Sequence, residues 1–230
     1  IELALAVWSI YTWDHLMDVK DKESPQFFRH QFHKRYRRAL LFALLICLIS
    51  GALLVFFLPV NTLYMGVAIS ILVLLYFVLI HFFPTFYHKE TLIAILYGLG
   101  IFLGPVSCME SFFVDRLTSY LVLTILLAFT NLMIFSEFEK NDDKQSGYPS
   151  LAIKLKGQSK VLITIIFVLQ IGALIILYLN SIVSENVFYC FFSMLLVLGL
   201  VFFGRQISIK NEYYRILGDG IFFIPLFFMG

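Results

Sequence analysis

Seven carboxylates crowd two short stretches of this chain. "WDHLMDVKD" carries Asp14, Asp18 and Asp21, and "SEFEKNDDKQSG" carries Glu137, Glu139, Asp142 and Asp143. Asp14 and Asp18 stand at i, i+4, with Asp21 at i+7; Glu139 and Asp143 repeat the i, i+4 spacing, with Asp142 at i+3. On a helix each set shares one face. Like charges so placed repel by about 0.2–0.5 kcal/mol per pair, and beside a bilayer they also lose hydration. A divalent cation offsets both costs. Mg²⁺ takes carboxylate oxygens in octahedral geometry, keeps several waters and shares itself with substrate phosphates. Asp14, Asp18, Glu139 and Asp143 are therefore the candidate ligands, with Asp21 and Asp142 as further ligands or as residues supporting them. Lys22, Arg29, Lys89 and Lys144 are candidates to neutralise a diphosphate held between the two helix ends. A lone carboxylate at a helix end is most simply a solvated side chain. Two matched clusters are harder to explain that way, because acid at a helix C-terminus opposes the helix dipole.

The elements that must position these acids are membrane helices. The chain is 60% hydrophobic and 14% charged over 230 residues, with a mean hydropathy of +0.90. A soluble domain is about half apolar and about a quarter charged, and a water-soluble surface could not hide this much apolar side chain. Spanning helices need about 20 apolar residues each. Such runs fall at about 38–59, 62–83, 91–108, 117–138, 159–180, 186–204 and 213–230. The opening run, 1–17, reads as an eighth span that has lost its start, since it has no leading Met, basic region or cleavage site of a signal peptide. The expectation is an all-α membrane protein, a multi-spanning bundle of about eight helices forming one domain over residues 1–230.

Charge asymmetry orients that bundle. Sixteen of the seventeen Lys and Arg fall in the connections after the first, third, fifth and seventh spans or beside them, and Arg116 lies opposite. The positive-inside rule makes the basic side cytoplasmic, and both acidic stretches lie on it. Sixteen basic residues beside a bilayer are accounted for by topology and anionic lipid, so no nucleic-acid partner is inferred. Cys47, Cys108 and Cys190 show no metal-type spacing and read as small apolar residues.

The pattern resembles the UbiA family of intramembrane prenyltransferases. That family has nine transmembrane helices, with Asp-rich motifs after the second and sixth on the cytoplasmic side. If one leading helix is missing, the eight spans correspond to helices two to nine and both acidic stretches coincide with the motifs. The second motif reads Asp-x-x-x-Asp-x-x-x-Gly in the family, and here Glu139, Asp143 and Gly147 match it, followed by "YPSLAIKL". "YHKETLIAILYGLGIFLG", 87–104, resembles the start of the family's fifth helix, with Lys89 at its Lys position. The first motif departs: Ile10 and Tyr11 stand where the family has Asn-Asp, with Asp21 one turn beyond Asp18. In the second motif Glu139 replaces Asp and Ser136 stands where another Asp is common.

The resemblance implies a transferase: Mg²⁺-dependent transfer of a prenyl group from an isoprenyl diphosphate to a small-molecule acceptor, expected to be aromatic, inside the membrane. It also suggests an acceptor pocket. His15 lies between two candidate ligands, Asn131 lies two turns before Glu139, and Asp219 in "ILGDGIFFIPLF" lies within the last span. An intramembrane acid is by default a functional-site candidate, although an interhelical hydrogen bond explains Asn131 and Asp219 as well. Two other readings stay open. A cation-coupled transporter could use the same acids, but ion sites of transporters usually lie near the midplane. An inactive, lipid-binding relative would account for the motif departures.

Overall fold

The computed structural model describes residues 1–18, 28–83, 85–109, 114–147 and 149–228, with the side chains of residues 18, 28–30, 146 and 211 outside that description. No strand occurs among the described residues. Helix α1 (Glu2–Asp18) contains neither Gly nor Pro and runs unbroken to the first acidic stretch. A short basic helix, α2 (Phe28–Arg35), precedes α3 (Arg37–Leu54), which tightens into a 3-10 turn before Pro59. Helices α4 (Val60–Phe82), α5 (Lys89–Cys108) and α6 (Val114–Ser146) follow, then the single turn α7 (Leu151–Lys154). Helices α8 (Ser159–Leu179) and α9 (Glu185–Phe203) complete the long elements, and α10 (Arg205–Ser208) and α11 (Tyr213–Gly220) lie beyond them. Among the described residues α3, α4, α5, α6, α8 and α9 are long and apolar enough to cross a membrane. Only 6% of the apolar window of α3, and likewise of α4, is buried within the protein, which leaves those faces for lipid.

Three elements differ from the expectation drawn from the runs. The fourth long span does not stop near residue 138: α6 continues through the second acidic stretch to Ser146. Nothing between Glu139 and Ser146 breaks a helix, and the break comes at Gly147, whose φ of +73° is a left-handed C-terminal position that glycine adopts without steric cost. The last span is α11 followed by a 3-10 helix over Ile221–Phe228. Pro225 inside that segment cannot donate to an α-helical ladder. The connection after α1 also carries a helix, α2, where the sequence suggested a loop.

The chain packs as two units, Ile1–Val67 and Ala68–Gly230. In the first, α1 packs along α3 and against α2, with Leu16 and Leu44 buried. In the second, α6 is the central element and touches α5, α7, α8, α9 and α11. Its core includes Leu123, Leu127, Ile134, Ile163, Leu174 and Leu198. Among the described residues a buried polar contact crosses this apolar layer: Gln170 Nε2 donates to Thr130 Oγ1 at 2.5 Å, both residues being buried. In lipid a buried amide with no such partner is costly.

Candidate functional site

The first acidic stretch closes α1. Asp14 is half-buried one turn before Asp18, the last residue of that helix. Asp21 and Lys22 lie outside the described residues, as do the side chains of Asp18 and of Arg29, which belongs to α2. His15 is buried. Its ring meets Tyr11 edge-on at 4.2 Å and His33 of α2 at 5.0 Å. His33 is buried with it.

The second stretch occupies the last turns of α6. Glu139 and Asp143 are buried, Asp142 is half-buried and Lys144 is exposed. Glu139 is held by α11. Its Oε1 accepts hydrogen bonds from Tyr214 OH at 2.6 Å and from Arg215 Nε at 2.7 Å, and Arg215 Nη2 completes the ion pair. The Arg215 guanidinium lies over the rings of Phe135 at 5.1 Å and Tyr214 at 5.7 Å, a favourable stacking of cation on aromatic faces. Glu137 points to other partners. Its Oε2 accepts a 2.5 Å hydrogen bond from Ser159, and Lys140 and Arg205 approach the carboxylate at 3.8 Å each.

A third carboxylate, Glu90, organises the segment after the second stretch. It is buried in the first turn of α5, beside the half-buried Lys89. Glu90 Oε1 accepts from Ser136 Oγ of α6 and from the backbone N–H of Leu151, both at 3.0 Å. The chain that leaves α6 at Gly147 is thereby tied back to α5 and α6 within four residues. Deeper along α6, Asn131 comes close to the Asp219 carboxylate of α11. Gly218 makes that approach possible: a Cβ there would fall on Asn131 Oδ1 and within 2.8 Å of the Phe135 ring. Asn131 and Asp219, two candidates for the acceptor pocket, are thus neighbours across the contact between α6 and α11.

No group of three or more His, Cys, Asp or Glu side chains converges to hold a metal among the described residues. That is compatible with Mg²⁺, which is commonly bound by one or two carboxylates plus substrate phosphates instead of an all-protein cage. Glu139 and Asp143 supply two buried hard-oxygen donors one turn apart on α6, so the donor chemistry fits the ion.

The model of the UbiA prenyltransferase family matches residues 5–215. The chain belongs to the UbiA family. Members of the UbiA family are prenyltransferases and generally use Mg²⁺. With six long apolar helices among its described residues, this member is an integral, multi-pass membrane protein. The UbiA match takes in both acidic stretches, Lys89 and Asn131, and ends at Arg215. Neither a curated protein nor a solved structure matches the chain. Sequence reasoning missed Tyr214, Arg205 and Arg215 as partners of these acids, and Glu90 as the anchor of the segment that follows them. The one signal for Glu90 was an acid placed at the head of an apolar helix, next to the lysine that drew attention instead.

Proposed function

We propose that this UbiA member transfers a prenyl group from an isoprenyl diphosphate to an aromatic small-molecule acceptor within the membrane, with Mg²⁺. The observation that carries the reading is the pair of buried carboxylates, Glu139 and Asp143, on one face of α6 within the UbiA match. Asp14 and Asp18 are the further Mg²⁺ ligands of this reading, with Asp21 and Asp142 in support. When bound, Mg²⁺ would neutralise charge on the departing diphosphate, where it develops in the transition state. Lys22, Arg29, Lys89 and Lys144 bind the phosphate oxygens. The C1–O bond of the donor breaks with its electron pair going to the diphosphate. The acceptor then bonds C1 and gives up a proton. Apolar helices exclude water from the allylic cation, and the prenyl tail comes in from the bilayer. Asn131 and Asp219 orient the acceptor, with His15 on the side of the first acidic stretch. The asymmetry of basic residues supports a cytoplasmic location for the acidic stretches.

The test is diphosphate release by the purified, detergent-solubilised protein, given isoprenyl diphosphates of several lengths and an acceptor-containing lipid extract, with and without Mg²⁺. Release should require Mg²⁺ and fall by about 10²–10³-fold in Asp18→Asn and in Asp143→Asn, the scale of losing one electrostatic stabiliser of the transition state. Release that survives both substitutions, or that ignores Mg²⁺, overturns the assignment.

A further inference from the structure

Glu139 is already occupied. One of its oxygens takes hydrogen bonds from Tyr214 and from two nitrogens of Arg215, although the spacing with Asp143 makes it a candidate to bind a cation. An arginine on that carboxylate offsets the repulsion between two acids one turn apart while no cation is present. It must also yield before the oxygen can serve a cation. The ion-paired Glu137 of α6 lacks this character. Glu137 is shared among Ser159, Lys140 and Arg205, and its offset along the helix takes it out of register with Asp143.

We propose that Arg215 is a diphosphate-binding residue kept in reserve by Glu139, passing from the glutamate to the diphosphate when donor and Mg²⁺ arrive. This rests on the diphosphate-transfer reading above. Four features support the exchange. A guanidinium carries more N–H donors than this pair consumes, and its planar fork matches phosphate as well as carboxylate. Its face lies over Phe135 and Tyr214, so it can turn within its own plane while keeping that stacking. Tyr214 hydrogen-bonds Glu139 independently, so the carboxylate stays positioned after the arginine has left. Side-chain exposure is 19% for Arg215 and 8% for Glu139, so the cation is the more accessible partner.

The exchange makes a prediction that a purely structural ion pair does not. Binding of inorganic pyrophosphate to the full-length protein in detergent would be measured by titration calorimetry, with and without Mg²⁺. Glu139→Gln releases Arg215, so it should bind pyrophosphate without Mg²⁺ at least about tenfold more tightly than the parent. The double variant Glu139→Gln/Arg215→Gln, an uncharged pair of similar shape, should lose that gain. Arg215→Gln alone should weaken binding in the presence of Mg²⁺ by about tenfold or more. No gain in Glu139→Gln, or a gain that persists in the double variant, overturns the reserve role. If the parent binds pyrophosphate in a manner that needs Mg²⁺ and Asp143 and yet Glu139→Gln gains nothing, only the reserve role fails. If the parent binds no pyrophosphate with Mg²⁺, the transfer reading fails and takes the reserve role with it.

Discussion

Replacing Glu90 by alanine tests whether one buried carboxylate fastens the segment that follows the second acidic stretch. Glu90 Oε1 receives the Leu151 N–H and the Ser136 hydroxyl at 3.0 Å each. Hydrogen bonds to a charged acceptor contribute about 1.5–3 kcal/mol each. Removing the acceptor leaves two buried donors without it. Part of that loss is recovered, because Glu90 Oε2 is itself buried without a hydrogen-bond partner, and dehydrating a charge is costly. The net local cost is about 2–4 kcal/mol. Hydrogen exchange read by mass spectrometry over residues 149–155 reports it directly. At about 1.4 kcal/mol per tenfold, exchange there should accelerate by about thirty- to a thousandfold, while peptides from α8 and α9 keep their protection. Glu90→Gln retains one acceptor oxygen and should cost no more than about 1 kcal/mol. Unchanged exchange over 149–155 in Glu90→Ala would mean that Leu151 is held by something other than Glu90.

Two further substitutions probe the membrane layer. Gly218→Ala puts a methyl group onto Asn131 and the Phe135 ring; overpacking of this kind costs about 1–3 kcal/mol. It should lower the melting temperature in detergent and reduce diphosphate release, and an unshifted melt would show that α11 can slide without loss. Thr130→Val strips Gln170 Nε2 of its 2.5 Å partner and should cost about 1–3 kcal/mol. Thr130→Val with Gln170→Leu removes both polar groups and should recover most of that loss, measured as resistance to thermal inactivation. If the double variant is as unstable as the sum of the singles, the contact matters for shape and not for polarity.

Much of the architecture could be read directly from the runs of apolar residues, because lipid imposes a minimum length on every spanning helix. The ends were harder. The change from apolar to charged near residues 136–139 ends the hydrophobic run of α6, and a helix need not end where its hydrophobic run does. Gly147, eight residues past Glu139, is the true stop. The i, i+4 acids were legible because α6 stays helical through them. Their partners were not: Arg215 meets Glu139 across 76 residues of sequence and Glu90 meets Leu151 across 61. Hydropathy cannot tell a carboxylate solvated at the headgroups from one buried under Leu151. Asn131 and Asp219 could each be singled out as polar residues in apolar helices, but only the fold pairs them with each other.

Asn131, Phe135 and Glu139 follow one another at every fourth position of α6, and α11 meets them with Gly218 and Asp219 at one level and Tyr214 and Arg215 at the next. At 1.5 Å per residue the levels span about 12 Å of stiff rod with no hinge. A displacement at Asn131 is therefore carried along the same helix towards Glu139. On the proposed reading the acceptor end and the diphosphate end share a single torsion bar. A substitution that reshapes the pocket for a bulkier acceptor will shift the grip on the leaving group in the same stroke, so selection for a new acceptor should bring compensating changes in α11.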